Sequence, residues 1–196
     1  MNVYPMQNIL TKTTLEETYR NHQLVSYIEN GKCIGEVFKN NISIVCCASD
    51  NATTTLQHTR SIVDQLIKEK VLERKNAIPT QKQIILGLSA IAKYFSITQK
   101  ALFHYLMRHD NQAVPIEKLQ KTSKCTTTTG VYFALADFSR MLCDELAYEP
   151  PMPLEGRDPF IAMVIEPETD YTNTNASITL KLQANLFSAL KSITWP

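Results

Sequence analysis

The chain has 196 residues with twenty Lys and Arg against nineteen Asp and Glu, a net charge of +1 that excludes a polycation coating nucleic acid along its whole length. Its composition is that of a soluble globular protein of one large or two small domains, and no apolar run is long enough to span a bilayer. The odd set Cys33, Cys46, Cys47, Cys125 and Cys143 lacks the spacing of a secreted disulfide scaffold, and the start Met1-Asn2-Val3-Tyr4-Pro5 lacks a signal peptide's basic start and apolar core, so a cytoplasmic protein is expected.

The N-terminal stretch alternates like strands. Residues 24–28 and 33–38 flank Glu29-Asn30-Gly31-Lys32, and Asn-Gly between strand-like runs is a strong hairpin signal, because both residues tolerate positive φ. Lys39-Asn40-Asn41 makes a second turn. Residues 42–48 form a third strand, apolar enough to be central. Asp50 or Asn51 then starts a long helix to about Arg74, burying Leu56, Ile62, Val63, Leu66, Ile67 and Val71. Charged residues 68–76 lead to Ile78-Pro79, a module boundary, so a first α/β module is expected over residues 1–78.

A second module is expected over residues 79–149. Residues 88–109 read as two amphipathic runs meeting at Phe95-Ser96-Ile97-Thr98. The first places Leu88, Ile91, Ala92 and Phe95 on one face. The second places Ile97, Ala101, Leu102, Tyr105 and Leu106 on one face, with Thr98 as N-cap. Two helices joined by so short a turn cross steeply and need a small residue at the contact, here Ala92. With these residues the segment resembles the helix-turn-helix of bacterial and phage DNA-binding proteins, with Ser96 where that turn often has Gly.

The resemblance implies that the second helix enters the major groove, exposing Gln99, Lys100, Phe103, His104 and Arg108, with Thr98 donating to a phosphate. Charge agrees with it. Residues 80–125 carry Lys82, Lys93, Lys100, Arg108, Lys118, Lys121 and Lys124 against only Asp110 and Glu117, the footprint of a phosphate-binding face. Residues 114–119 and 131–135, joined by a Thr/Lys/Ser/Gly run, read as a β-hairpin wing carrying Lys118, Lys121 and Lys124, and a helix follows from Ala136 to Leu146. This order is similar to excisionase-like and MerR-like winged domains. The alternatives are a helical hairpin with a solvated basic face and a disordered polar loop.

The C-terminal segment, residues 150–196, begins at a Pro-rich bend. It offers a strand over 160–166, a polar turn over 170–175, a strand over 178–182, and a tail over 185–193 that reads equally as strand or helix. These strands either complete the N-terminal sheet or form a separate dimerising hairpin. The fold expected is α+β: a central winged helix-turn-helix flanked by an N-terminal β-meander with a long helix and by C-terminal strands.

Other chemistry finds little footing. No C-x-x-C pair exists, and His104 and His109 do not share a helix face, so no metal or cofactor is expected. Cys46 and Cys47 at a strand end, with His58 in the following helix, more simply fill an apolar strand than make a nucleophile. The run Ser49 to Thr55 has neither the Gly nor the Lys of a P-loop, and the acids Asp144, Glu145 and Glu149 read as a solvated helix face, so no enzyme is expected. The expectation is a sequence-specific double-stranded DNA-binding protein, a transcriptional regulator or a phage or plasmid accessory factor, acting as a homodimer without a membrane role. The rival is an interaction adaptor or host-directed factor that meets a protein partner through its acidic residues 137–170.

Overall fold

The computed structural model describes residues 13–75, 77–151, 158–166 and 178–193. The chain divides into two compact units, residues 1–75 and 76–196, and its class is mixed, α+β.

In the first unit, β1 (Thr13–Tyr19), β2 (His22–Glu29), β3 (Lys32–Lys39) and β4 (Ile42–Ser49) form an antiparallel meander in that order. Arg20-Asn21, Asn30-Gly31 and Asn40-Asn41 make the connections, and all six residues have positive φ. Two-residue loops of this kind have the twist that antiparallel strands need, and Asn or Gly bears the left-handed backbone at five of the six positions. The Asn30-Gly31 hairpin and the Asn40-Asn41 turn stand as expected. β1 was not anticipated, because Glu16, Glu17 and Thr18 hide its pattern.

β4 corrects an expectation: it is the last strand of the sheet order, not a central one, and Ile42 and Ile44 are 55% and 43% exposed. Its apolar side chains alternate, so only one set can meet a helix; Val45 and Cys47 lie opposite Val37 and Gly35.

α1 (Ala52–Glu73) starts at Asn51, whose side chain accepts from the Thr54 N–H at 2.9 Å. It buries Leu56, Val63 and Ile67 against Leu24 and Val37. Gly35 is required at the crossing, since a Cβ there would meet Thr55 Cγ2 at 2.4 Å and Thr59 Cγ2 at 2.8 Å. Tyr19 Oη donates to Asp64 at 3.0 Å, and Arg20 pairs with the same carboxylate at 2.7 Å.

The second unit holds α2 (Gln81–Ile91), α3 (Ile97–Arg108), β5 (Val114–Pro115), α4 (Ile116–Ser123), α5 (Thr128–Leu146), α6 (Pro159–Val164), β6 (Thr179–Leu180) and α7 (Ala184–Ser192). Its centre is α5, whose Val131, Leu135, Phe138 and Leu142 are fully buried at helical spacing. α2 packs on α5 and α7, α3 and α4 pack on each other and on α5, and α6 lies on α5. The break between α2 and α3 falls where expected, as a 3-10 turn over Ala92–Tyr94. Ala92 is half-buried against the core.

Three expectations are corrected here. Residues 114–135 do not form a hairpin; they hold β5, α4, a tight turn and the start of α5. Val131, Tyr132 and Phe133 have strand propensity, but burial at 131, 135, 138 and 142 follows helical periodicity and overrides it. Residues 160–166 are mainly helix α6, with Ile165 alone in a bridge to Leu182. The C-terminal strand does not join the N-terminal sheet: Leu180 pairs with Val114 and Thr179 with Pro115 inside the second unit, and the Ile116 N–H donates to Ile178 O at 2.8 Å. The tail resolves as α7, and the polar turn expected over 170–175 lies outside the described residues. Among the described residues no helix is long and apolar enough to cross a membrane.

Candidate nucleic-acid interface

α3 is capped two residues before Thr98. Ser96 Oγ accepts from the Gln99 N–H at 3.1 Å, and Gln99 Oε1 accepts from the Ser96 N–H at 2.9 Å, a reciprocal capping box. Thr98 is therefore the second residue of the helix, half-buried. The remaining end of the Gln99 amide, Nε2, donates to Ala134 O of α5 at 3.1 Å. Gln99 is buried and its amide is committed at both ends, so it is not available to a base edge.

Phe103 is likewise withdrawn. It is fully buried, with its ring centroid 4.2 Å from that of Phe138. Ile97, expected in the core, is 88% exposed. The buried side of α3 is Gln99, Leu102, Phe103 and Leu106, of which Gln99 meets Ala134 and Phe103 meets Phe138 on α5. Of the residues expected to face DNA from α3, His104 and Arg108 are exposed and Lys100 is half-buried.

Lys118, Lys121 and Lys124 stay together but not on a wing. Lys118 and Lys121 project from the exposed side of α4, whose other side buries Ile116, Leu119 and Ser123. Lys124 is the C-cap of α4, with φ of 58°. Left-handed backbone at that position turns the chain sharply. The turn is tied by the Cys125 N–H donating to Gln120 O at 3.1 Å and Gln120 Nε2 donating to Thr126 O at 3.0 Å. α5 then opens at Thr127, whose Oγ1 accepts from the Gly130 N–H at 3.1 Å.

The outcome is two helices joined by a four-residue turn, with Lys124 in the turn, Lys121 in the last turn of α4 and Lys118 one turn before it. From residue 118 to 136 the chain carries those lysines and no acid. Thr126, Thr127, Thr129 and Phe133 are exposed at the start of α5, and Phe133 is 65% exposed. The sequence reading placed the threonines on the supposed wing and missed Phe133 and the helix start they flank. Their signal was present in the left-turning position before a Thr cap and in the helical spacing of Val131, Leu135 and Phe138.

The other candidate chemistries remain scattered. Burial pushes the Cys47 thiol upward, with the neighbouring Cys46 adding to it, the reverse of what a nucleophile needs. Among the described residues no group of three His, Cys, Asp or Glu side chains could hold a metal. A cleft of about 220 Å³ beside Ile78, Ile84, Tyr148 and Leu186 has no charged side chain in its lining. Compared with protein-family models, curated proteins and solved structures, the chain matches none of them.

Proposed function

We propose that the protein binds double-stranded DNA sequence-specifically, through α4, the turn at Lys124 and the start of α5. The observation that carries this reading is the joint itself: an exposed helix start flanked by Lys118, Lys121 and Lys124, in a stretch with no acid from 118 to 136. A helix start presents unpaired N–H groups and a positive dipole end, and lysines beside it suit phosphate on either side of a groove. The second helix of such a pair enters the major groove with its N-terminal residues. In this reading α5, not α3, is the recognition helix, and His104, Arg108 and Lys100 are a secondary basic flank.

A winged layout needs an antiparallel β element beside the helical pair. The pairing of β5 with β6, continued by the Ile165–Leu182 bridge, supports that part of the reading, with one strand from residues 114–115 and the other from the C-terminal segment. Regulation of transcription, or an accessory role in a phage or plasmid, is the class of function such a domain serves. Each good base contact discriminates by only ~1–3 kcal/mol, so a homodimer on paired half-sites is part of the proposal.

The adaptor reading draws less support. Among the acids of 137–170, Asp137 and Asp158 pair with Arg140, and Glu166 pairs with Lys181, so these charges already have internal partners.

The test is titration of a labelled duplex at two salt concentrations. Three phosphate contacts would weaken binding roughly 40-fold between about 50 and 200 mM salt. Absence of binding at the lower salt sinks the proposal.

A further inference from the structure

The exposed face of α5 has a composition that selects among bases. Thr129 and Phe133 stand one helical turn apart at the start of α5, with Gly130 between them in the chain and Thr126 in the turn just before the helix. From Thr126 to Phe133 no side chain is an amide, a guanidinium or an ammonium. This stretch therefore cannot make the two-pronged bonds that identify guanine or adenine. What it offers is methyl groups, hydroxyls and an aromatic ring, and in the major groove only thymine presents a methyl group to receive them.

Gly130 adds an independent observation. Gly35 is demanded by packing, since a Cβ would meet Thr55 Cγ2 at 2.4 Å, and at Gly87 a Cβ would be tight against Leu146 Cδ2 at 3.0 Å. At Gly130 the nearest atoms to a Cβ would be Cys125 Cβ at 3.5 Å and Thr127 Oγ1 at 3.6 Å, ordinary contact, and no positive φ calls for glycine there. Glycine is the poorest helix former after proline, so the fold itself gains nothing from it. A half-buried glycine in the first turn of α5 leaves the backbone beside Thr129 without a side chain of its own. The usable face ends one turn further on at Asp137, an exposed carboxylate 3.5 Å from Arg140, which phosphates would repel.

Resting on the DNA-binding reading above, we propose that α5 reads thymine methyl groups in the major groove through Phe133, Thr126 and Thr129, with Gly130 allowing the approach, so that the preferred sites are rich in A·T pairs. Lys118, Lys121 and Lys124 match the phosphates beside that groove in charge and carry no base preference of their own.

The experiment compares alternating d(AT), alternating d(AU) and alternating d(GC) duplexes of equal length at one low salt concentration. Replacing thymine by deoxyuracil removes only the 5-methyl. The wild-type protein should bind d(AT) about fourfold more tightly per methyl contacted than d(AU), from the transfer value of one buried carbon. Phe133→Ala should bind d(AT) and d(AU) more nearly alike, with its binding to d(GC) unchanged. Gly130→Ala should melt no lower than wild type and yet bind d(AT) more weakly. Equal wild-type affinity for d(AT) and d(AU) overturns the thymine proposal and leaves DNA binding standing, whereas no binding to any of the three duplexes removes the DNA-binding reading itself. The d(AT) to d(AU) comparison uses unmodified protein, so it decides the matter even if a variant fails to fold.

Discussion

Gln99 Nε2 donates to the carbonyl oxygen of Ala134 at 3.1 Å, joining the first turn of α3 to the middle of α5. The same side chain accepts from the Ser96 N–H, so one amide closes a helix cap and satisfies a backbone carbonyl on a neighbouring helix. A residue that looks like a base reader in the sequence is a structural fastener. Gln99→Ala is accordingly expected to cost about 1–3 kcal/mol of stability, because it strips the cap and leaves a carbonyl unpaired. Its effect on relative affinity for different duplexes should be nil. Urea unfolding beside a duplex competition series checks both halves; a changed sequence preference in a fully folded variant would return Gln99 to the DNA surface.

Lys118, Lys121 and Lys124 carry the electrostatic part of the proposed interface. Each replacement by Ala should lower the slope of log affinity against log salt by about 0.9 and weaken all sequences alike. Lys82, at the exposed start of α2, serves as a comparison and should leave the slope unchanged. Equal slopes for the α4 variants and the wild type would show that these lysines do not meet phosphate.

In the first unit, Gly35→Ala places a methyl 2.4 Å from Thr55 Cγ2. The helix must shift off the sheet, and overpacking of this kind costs about 1–3 kcal/mol. Adding Thr55→Ser, which removes that methyl, should recover part of the loss. Thermal melting of both variants checks this, and an unperturbed Gly35→Ala would mean that α1 does not cross the sheet at Gly35.

Cys143 lies in the core beside Ser139, and burial pushes its thiol up to about 12, from an ordinary value of 9.0. The unfolded chain loses this proton near its ordinary value while the folded chain keeps it. Stability linked to Cys143 is thus complete below pH 9.0 and falls as pH rises from there toward about 12. Cys143→Ala should show a shallower decline over that window than wild type in unfolding measured at several pH values. Parallel declines would mean that the thiol is not held protonated by the fold.

Local chemistry was readable wherever one short segment suffices. Asn30-Gly31 and Asn40-Asn41 dictate hairpins because these residues tolerate positive φ, and Asn51 starts α1 because its side chain reaches a nearby N–H. The break between α2 and α3 was equally plain, and so was the clustering of positive charge at residues 118–124. Tertiary structure alone decided which polar residues point outward. Gln99 and Phe103 turn inward because α3 packs on α5 through Ala134 and Phe138, and Thr129 and Phe133 turn outward because Val131, Leu135 and Phe138 must be buried. The strand at 178–182 was legible from its alternation, but its pairing with β5 was not, since the partners lie far apart in the chain. A helical period shows that a segment has a buried face; only the neighbours that bury it decide which residues remain for a ligand.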